Sequence, residues 1–99
     1  MQKLIVDSTV IIEYLKTGKG VLASVIDNYS LFLPIVVYTE LLATQRAANE
    51  NASRQIRDFI SDNFELIQVN SGIAATAGKL LRELDVSLAH SLIASTALE

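Results

Sequence analysis

The sequence predicts an α/β fold, in which a small parallel β-sheet is covered by helices on both faces. Short apolar runs alternate with segments of helical periodicity along the chain of 99 residues, and this order is typical of parallel strands joined by right-handed crossovers. The run Lys3–Val6 is apolar after its lysine, as expected of a strand buried on both sides. No repeat or linker divides the sequence, so residues 1–99 are expected to form a single domain.

The individual elements follow from periodicity and from capping residues. Ser8 or Thr9 is expected to cap the first helix, and Ser71 the fifth. Pro34, the only proline, closes the second predicted strand. The fifth helix is expected to bury one apolar face, formed by Ile73, Ala77, Leu80, Leu81 and Leu84. The predicted strands cover about residues 3–6, 31–33 and 65–69. The predicted helices cover about residues 8–16, 21–28, 35–48, 52–63, 71–84 and 89–98.

Composition excludes several classes of protein. Apolar residues make up 51% of the chain and charged residues 19%, which is too apolar for a disordered segment. The absence of cysteine excludes disulfides, zinc thiolate sites and cysteine nucleophiles, and it agrees with a reducing cytoplasm. A net charge of −3 lacks the basic footprint of a dedicated DNA-binding module. No signal-peptide pattern and no apolar run of about 20 residues is present, so we expect a cytoplasmic location and no membrane span.

Two acidic residues stand in apolar surroundings. Asp7 directly follows the first predicted strand, and Glu40 lies among apolar neighbours such as Val37 and Leu41. Burying a carboxylate is costly, so such a group usually has a hydrogen bond, a charged partner or a cation. Asp7 is therefore either a capping residue or a ligand of Mg²⁺ or Mn²⁺, since both ions prefer carboxylate oxygens. Glu40 is either a surface residue of its helix or a second ligand.

Three segments resemble the motifs of one protein family. Residues 6–13, Val-Asp-Ser-Thr-Val-Ile-Ile-Glu, resemble the opening of PIN-domain ribonucleases, especially the VapC-type toxins. Residues 37–42 are similar to the second acidic motif of that family, and residues 92–98 to its small-residue helix. The segment 77–84 fits the helix that precedes that last motif. The three motifs occur in the order of the family and span nearly the whole chain.

The resemblance implies a fold, an activity and partners. The expected fold is a PIN-like α/β/α sandwich with a small parallel sheet. The expected activity is Mg²⁺- or Mn²⁺-dependent hydrolysis of RNA, with Asp7 and Glu40 as catalytic metal ligands. The amide groups of Ser8 and Thr9, at the start of a helix, would meet a phosphate oxygen. A small antitoxin protein and a second copy of the chain are the expected partners. Glu13 lies about 120° from Asp7 around the helix and is not expected to bind the ion.

The sequence departs from the family pattern in two places. His90, the only histidine, occupies the position of the third acid. It is either a polar residue of a helical first turn or a substitute ligand, which suits Mn²⁺ better than Mg²⁺. Asp85, five residues earlier, is a second candidate for the missing carboxylate. The other departure is the apparent absence of the C-terminal strand and helix of the family, which leaves a sheet edge to be covered by further chain or by a partner copy.

Other functions are also compatible with these residues. A PIN-like domain that binds protein or RNA without cutting is the main alternative, because His90 replaces an acid. A phosphoacceptor signalling domain is disfavoured, because it needs adjacent acids after the first strand and a late lysine. Four cations are candidates for weak contacts with RNA: Lys19, Arg46, Arg54 and Arg57.

Overall fold

The computed structural model describes residues 2–44 and 47–98. Within them, three short strands alternate with six helices, as the sequence predicts. The strands are β1 (Lys3–Ile5), β2 (Ser30–Pro34) and β3 (Phe64–Ile67). The helices are α1 (Ser8–Thr17), α2 (Val21–Val25), α3 (Ile35–Leu42), α4 (Glu50–Asn63), α5 (Ser71–Glu83) and α6 (Leu88–Leu98). None of these helices is long and apolar enough to cross a membrane, within the part of the chain that the structure describes.

The three strands form one parallel sheet in the order β1-β2-β3. Leu4 is paired with Leu31, and Leu31 is paired with Phe64, so the three strands begin nearly level. Every strand is followed by a helix, and the carboxyl ends of all strands therefore lie at the same edge of the sheet. The prediction of a small parallel sheet is confirmed.

One face of the sheet carries the hydrophobic core. Its strand residues are largely buried, and side chains of α1, α3 and α4 pack against them. The fully buried side chains of this layer include Ile11, Leu33, Val37, Leu41 and Ile60, each at most 1% exposed. Burial of this kind supplies most of the stabilising free energy of a small domain.

The opposite face is packed less tightly. Lys3, Ile5, Phe32 and Ile67 lie on this face, and together with residues of α5 and α6 they line a cavity of about 500 Å³. Ile5 is 37% exposed. α5 packs mainly on α6, and α6 also contacts α3. Helices thus lie on both sides of the sheet, as predicted, but the second helical layer does not close over the face.

Two helix caps lie before the expected hydroxyl residues, and for α1 the cap is Asp7, whose interpretation as a capping residue is confirmed. Asp7, not Ser8 or Thr9, is the N-cap of α1: its backbone is extended (φ −97°, ψ 174°) and its side chain accepts a hydrogen bond from the Val10 amide. Asn70, not Ser71, caps α5 in the same way. The N-cap residue must keep an extended backbone, whereas Ser8 and Ser71 are already helical. Asn49 caps α4, which starts at Glu50, two residues before the predicted position.

Two predicted helical features are also wrong. The third helix ends at Leu42 and not near residue 48, and the Thr44 hydroxyl donates to the Leu41 carbonyl at 2.8 Å just beyond it. Residues 45 and 46 of the predicted helix lie outside the described residues. On α5, Ile73 and Ala77 are buried and Leu80 is half-buried, as expected of the apolar face. Leu81 and Leu84, however, are 38% and 55% exposed, because no described element covers the end of this helix.

Candidate active site

Asp7 lies at the carboxyl end of β1, where ligand sites of open parallel sheets are found. Its side chain is exposed, and Oδ1 accepts the hydrogen bond from the Val10 amide at 3.2 Å. The Oδ2 atom has no hydrogen-bond partner among residues 2–44 and 47–98. Asp7 is therefore both a capping residue and a carboxylate with a free oxygen. The two interpretations of this residue are compatible.

Asp7 borders a groove beside β1. The groove has a volume of about 400 Å³ and is apolar apart from this one carboxylate, as judged from its described lining residues. The lining comes from β1, α1, α2 and α6: Leu4, Ile5, Val6, Asp7, Val10, Val21, Val25, Ile93, Ala94 and Ala97. Sequence reasoning did not identify Val21, Val25 and Ala97 as groove residues. No local pattern signals them, because they meet only through the tertiary fold.

Glu40 is half-buried on α3. α3 packs against both α1 and α6, the helices at whose first turns Asp7 and His90 lie. The described residues provide no ion pair or hydrogen bond for the Glu40 carboxylate. The helix that carries Glu40 is thus in contact with each of the two helices next to the other predicted ligands.

His90 and Asp85 are both exposed near the start of α6. The His90 backbone amide donates to the Ser87 hydroxyl at 3.1 Å, so Ser87 acts as a cap three residues before it. Asp85 lies in the connection between α5 and α6. Among the described residues, no three His, Asp or Glu side chains lie close enough together to hold one metal ion. The predicted set of ligands is therefore not assembled as a group in this conformation.

The chemistry of the two acids nevertheless fits a hard divalent cation. Mg²⁺ is usually bound by one or two carboxylates and keeps several waters or substrate oxygens as its other ligands. The free Oδ2 of Asp7 is an oxygen of the required kind, and Glu40 is a second carboxylate, on a helix that packs against α1. The imidazole of His90 is a nitrogen donor, of the kind that suits Mn²⁺ better than Mg²⁺.

The first turn of α1 contributes further donors. Ser8 is half-buried and Thr9 exposed, and neither hydroxyl caps the helix. The first amides of a helix have no partner within it, so those of Ser8 and Thr9 remain available for an oxyanion next to Asp7. Glu13 points elsewhere: its carboxylate lies so close to Gly20 that a Cβ atom added there would overlap with it.

The candidate cations are dispersed. Arg57 forms an ion pair with Glu50 at 2.8 Å, within α4. Lys19 and Arg54 are exposed. Arg46 lies outside the described residues. Exposed charges of this kind give weak, salt-sensitive contacts with a polyanion.

Comparisons with known proteins agree with the fold. The family model described as PIN domain matches residues 4–99. Three similar solved structures have TM-scores of 0.74, 0.73 and 0.71: a toxin–antitoxin complex from Klebsiella pneumoniae, VapBC2 from Rickettsia felis bound to a promoter DNA fragment, and VapBC-1 from nontypeable Haemophilus influenzae.

In the same order, sequence identities are 18%, 17% and 21%, and the alignments cover 95%, 98% and 99% of this chain. They cover 77%, 80% and 80% of the neighbouring chains. A search of curated proteins gave no match. At these identities the structural likeness shows the fold, and the family assignment rests on the match to nearly the whole sequence. The chain belongs to the PIN-domain family.

Proposed function

We propose that the chain is a metal-dependent endoribonuclease and the toxin of a toxin–antitoxin pair, acting in the cytoplasm. One observation carries the proposal: in a PIN-domain chain, the exposed Asp7 carboxylate stands at the carboxyl end of β1 with one oxygen free. The fold likeness to the toxin–antitoxin complex from Klebsiella pneumoniae and to the two VapBC structures supports the biological role. An antitoxin protein and a second copy of this chain are the proposed protein partners.

In this proposal each residue of the site has a distinct role. Asp7 Oδ2 and the Glu40 carboxylate would hold Mg²⁺ or Mn²⁺. When bound, the ion activates a water molecule and offsets the negative charge that develops on the phosphate. The Ser8 and Thr9 amides would donate hydrogen bonds to a phosphate oxygen and orient the scissile group. His90 and Asp85 would complete the site only after a shift at the start of α6.

Asp7→Asn is the sharpest test, because asparagine caps a helix about as well as aspartate but carries no charge. The purified chain is incubated with a mixed RNA pool and Mg²⁺ or Mn²⁺, and cleavage is followed on denaturing gels. We expect Asp7→Asn and Glu40→Gln to lower cleavage by about a hundredfold. EDTA should abolish cleavage, and excess Mn²⁺ should restore it.

The exposed Asp27, in the turn after α2, provides the matched control. Asp27→Asn removes the same charge and should cleave RNA at the wild-type rate. If Asp7→Asn retains wild-type cleavage, the proposed role of Asp7 is wrong.

A PIN-like domain that binds a partner without cutting RNA is the second candidate. It is favoured by His90 in the place of an acid, and by the lack of a group of three acidic or histidine ligands among the described residues. Calorimetric titration with Mn²⁺ separates the two candidates. No heat of binding at millimolar Mn²⁺ would leave only the binding role.

A further inference from the structure

We propose that a pocket between α3, α4 and β3 binds a guanine base of an RNA strand. The pocket has a volume of about 400 Å³, and its described lining includes Tyr38, Arg57, Ser61, Phe64 and Glu65. The inference deepens the proposed function and rests on it, because it places the guanine in RNA. It is carried by an unused hydrogen-bond donor in the pocket and by the balance of charge there.

Arg57 supplies a hydrogen-bond donor that has no acceptor within the described part of the chain. Its Nε atom is buried and lacks a hydrogen-bond partner among residues 2–44 and 47–98. A buried donor without an acceptor costs free energy, so a group of this kind calls for an explanation such as a ligand. The Nη2 atom contacts Glu50 at 2.8 Å, but the two side chains are 42% and 74% exposed. An ion pair this exposed is weak, so the guanidinium is free to turn and present Nε to an acceptor in the pocket.

The charges in the pocket favour a neutral ligand over an ion. Arg57 is a cation and the exposed Glu65 is an anion, and both line the same pocket. A phosphate group would be attracted by the first and repelled by the second. The hydroxyls of Tyr38 and Ser61 can donate or accept, and the Phe64 ring adds apolar surface. This combination suits a flat, neutral ring with donors and acceptors along its edge, which is the chemistry of a nucleobase.

Guanine matches these groups better than the other bases do. Its N1 and N2 atoms are neighbouring donors, and a carboxylate such as that of Glu65 can accept from both at once. Its O6 and N7 atoms are acceptors that suit the guanidinium of Arg57. The other bases do not present two neighbouring donors to a carboxylate on this edge. Unstacked bases of single-stranded RNA are recognised in this way, with an aromatic ring such as that of Tyr38 beside the base.

The pocket is separate from the proposed metal site. Tyr38 and Glu40 are two residues apart on α3, which places them about 200° apart around the helix axis. Tyr38 borders the pocket, so Glu40 lies on nearly the opposite face of the helix. A guanine bound beside Tyr38 would therefore belong to a nucleotide some distance along the strand from the scissile phosphate. The pocket would select the RNA and take no part in its hydrolysis.

Titration of the isotope-labelled full chain with nucleotides in EDTA tests the pocket without requiring cleavage. GMP should bind saturably and shift the Nε–H signal of Arg57 in two-dimensional NMR spectra. IMP is the matched control, because its base differs from guanine only in lacking the N2 amino group. It should bind about tenfold more weakly, since one hydrogen bond to a charged group is lost. AMP has the same ribose and phosphate and should bind more weakly than GMP as well.

Variants of the chain test the assigned side chains. Glu65→Gln keeps the shape of the side chain but removes its charge, and it should weaken GMP binding about tenfold. Glu83→Gln removes the same charge at an exposed position on α5, outside the pocket, and should bind GMP as the wild type does. Arg57→Lys keeps the charge but loses the Nε donor, so it should also weaken binding. Because Glu65 is exposed, Glu65→Gln keeps the test decisive if Arg57→Lys does not fold.

A short oligouridylate with one central guanosine distinguishes RNA from a free nucleotide as the ligand. In EDTA it should bind more tightly than GMP, and about tenfold more tightly than the same oligomer with adenosine at that place. Equal binding of the two oligomers, together with selective binding of GMP, would assign the pocket to a free nucleotide and overturn the RNA assignment.

Three results would overturn the pocket itself: no saturable binding of GMP up to millimolar concentration, equal binding of GMP, IMP and AMP, or wild-type binding of GMP by folded Glu65→Gln. These results are distinct from a failure of the proposed nuclease function. A chain that cuts RNA but does not bind GMP would overturn the guanine pocket alone. A chain that binds the guanosine oligomer in EDTA but never cuts RNA would overturn the nuclease alone.

Discussion

The buried Ser95 hydroxyl donates a 2.6 Å hydrogen bond to the Ile73 carbonyl and thereby joins α6 to α5. Ser95 is fully buried, and the two residues are 22 positions apart in the sequence. All other side-chain hydrogen bonds among the described residues span at most seven positions. This single hydrogen bond is thus the side-chain polar contact that joins α5 and α6, within the described part of the chain.

Removing this bond should destabilise the domain. Ser95→Ala leaves a small gap and removes the hydrogen bond to the Ile73 carbonyl. We expect the free energy of unfolding to fall by about 1–2 kcal/mol. Urea denaturation followed by circular dichroism measures the change. Ser24→Ala is the control, because the Ser24 hydroxyl bonds only locally, to the Val21 carbonyl, at an exposed site. An equal loss in both variants would contradict a special role of Ser95.

The capping role of Asp7 can be separated from its role as a metal ligand. Asp7→Ala removes the bond to the Val10 amide and should lower the free energy of unfolding by about 1 kcal/mol. Asp7→Asn should keep nearly all of that stability, because asparagine is an equally good N-cap. Thermal unfolding without metal measures both effects. If the two variants unfold at the same temperature, the hydrogen bond contributes no stability.

Restoring an acid at position 90 should strengthen metal binding. His90 is exposed in the first turn of α6, where a negative charge also interacts favourably with the helix dipole. We expect His90→Asp to bind Mn²⁺ about tenfold or more tightly, as the number of charged ligands rises. Asparagine has the same shape as aspartate but no charge, so His90→Asn should not bind Mn²⁺ more tightly than the wild type. Calorimetric titration of Mn²⁺ checks both variants, and equal affinities would place residue 90 outside the site.

The turn between α1 and α2 should be sensitive to substitution at Gly20. Gly20 has φ +95°, and the Glu13 carboxylate occupies the space that a Cβ atom would need. Gly20→Ala should therefore cost about 2 kcal/mol or more of stability. Gly18→Ala, at φ +69° with open space around it, should cost less, about 1 kcal/mol.

A double-mutant cycle tests the contact itself. Adding Glu13→Ala to Gly20→Ala should recover the part of the loss that is due to overlap and leave the part that is due to backbone strain. Additive effects of the two substitutions in urea denaturation would show that the Glu13 carboxylate does not rest on Gly20 in solution.

Much of the fold could be predicted from the sequence, because its periodicity is local. The runs Lys3–Val6 and Leu31–Leu33 gave strands in nearly the expected places, and Pro34 ends β2 as predicted. The cap of α5 was misplaced by one residue, and that of α1 was left between Asp7 and the hydroxyl residues after it, since all are good capping residues by type. Only the backbone conformation decides between them.

The candidate site was predictable in position but not in assembly. The place of Asp7 at the carboxyl end of β1 follows from the strand-then-helix pattern alone. The exposure of Leu84 and the groove between Val21 and Ala97 could not be predicted from that pattern, because they depend on how the helices pack in three dimensions. The position of His90 relative to the two acids also depends on how α6 packs, and no local sequence pattern predicts that packing.

The looser packing of α5 and α6 on the sheet has a consequence for the dynamics of the molecule. Layers with few contacts to the core open at lower free energy than the core itself, as cooperative units that hydrogen exchange detects. α5 and α6 hold each other through Ser95, and a cavity of about 500 Å³ is lined by residues of both helices and of the sheet. We therefore expect the two helices to open together at a lower free energy than the core, which faster hydrogen exchange in α5 and α6 than in α1 and α3 would show. His90 belongs to this pair of helices, whereas Asp7 and Glu40 belong to the core layer. Opening of the pair would therefore change the distances between these side chains, at a free-energy cost below that of global unfolding.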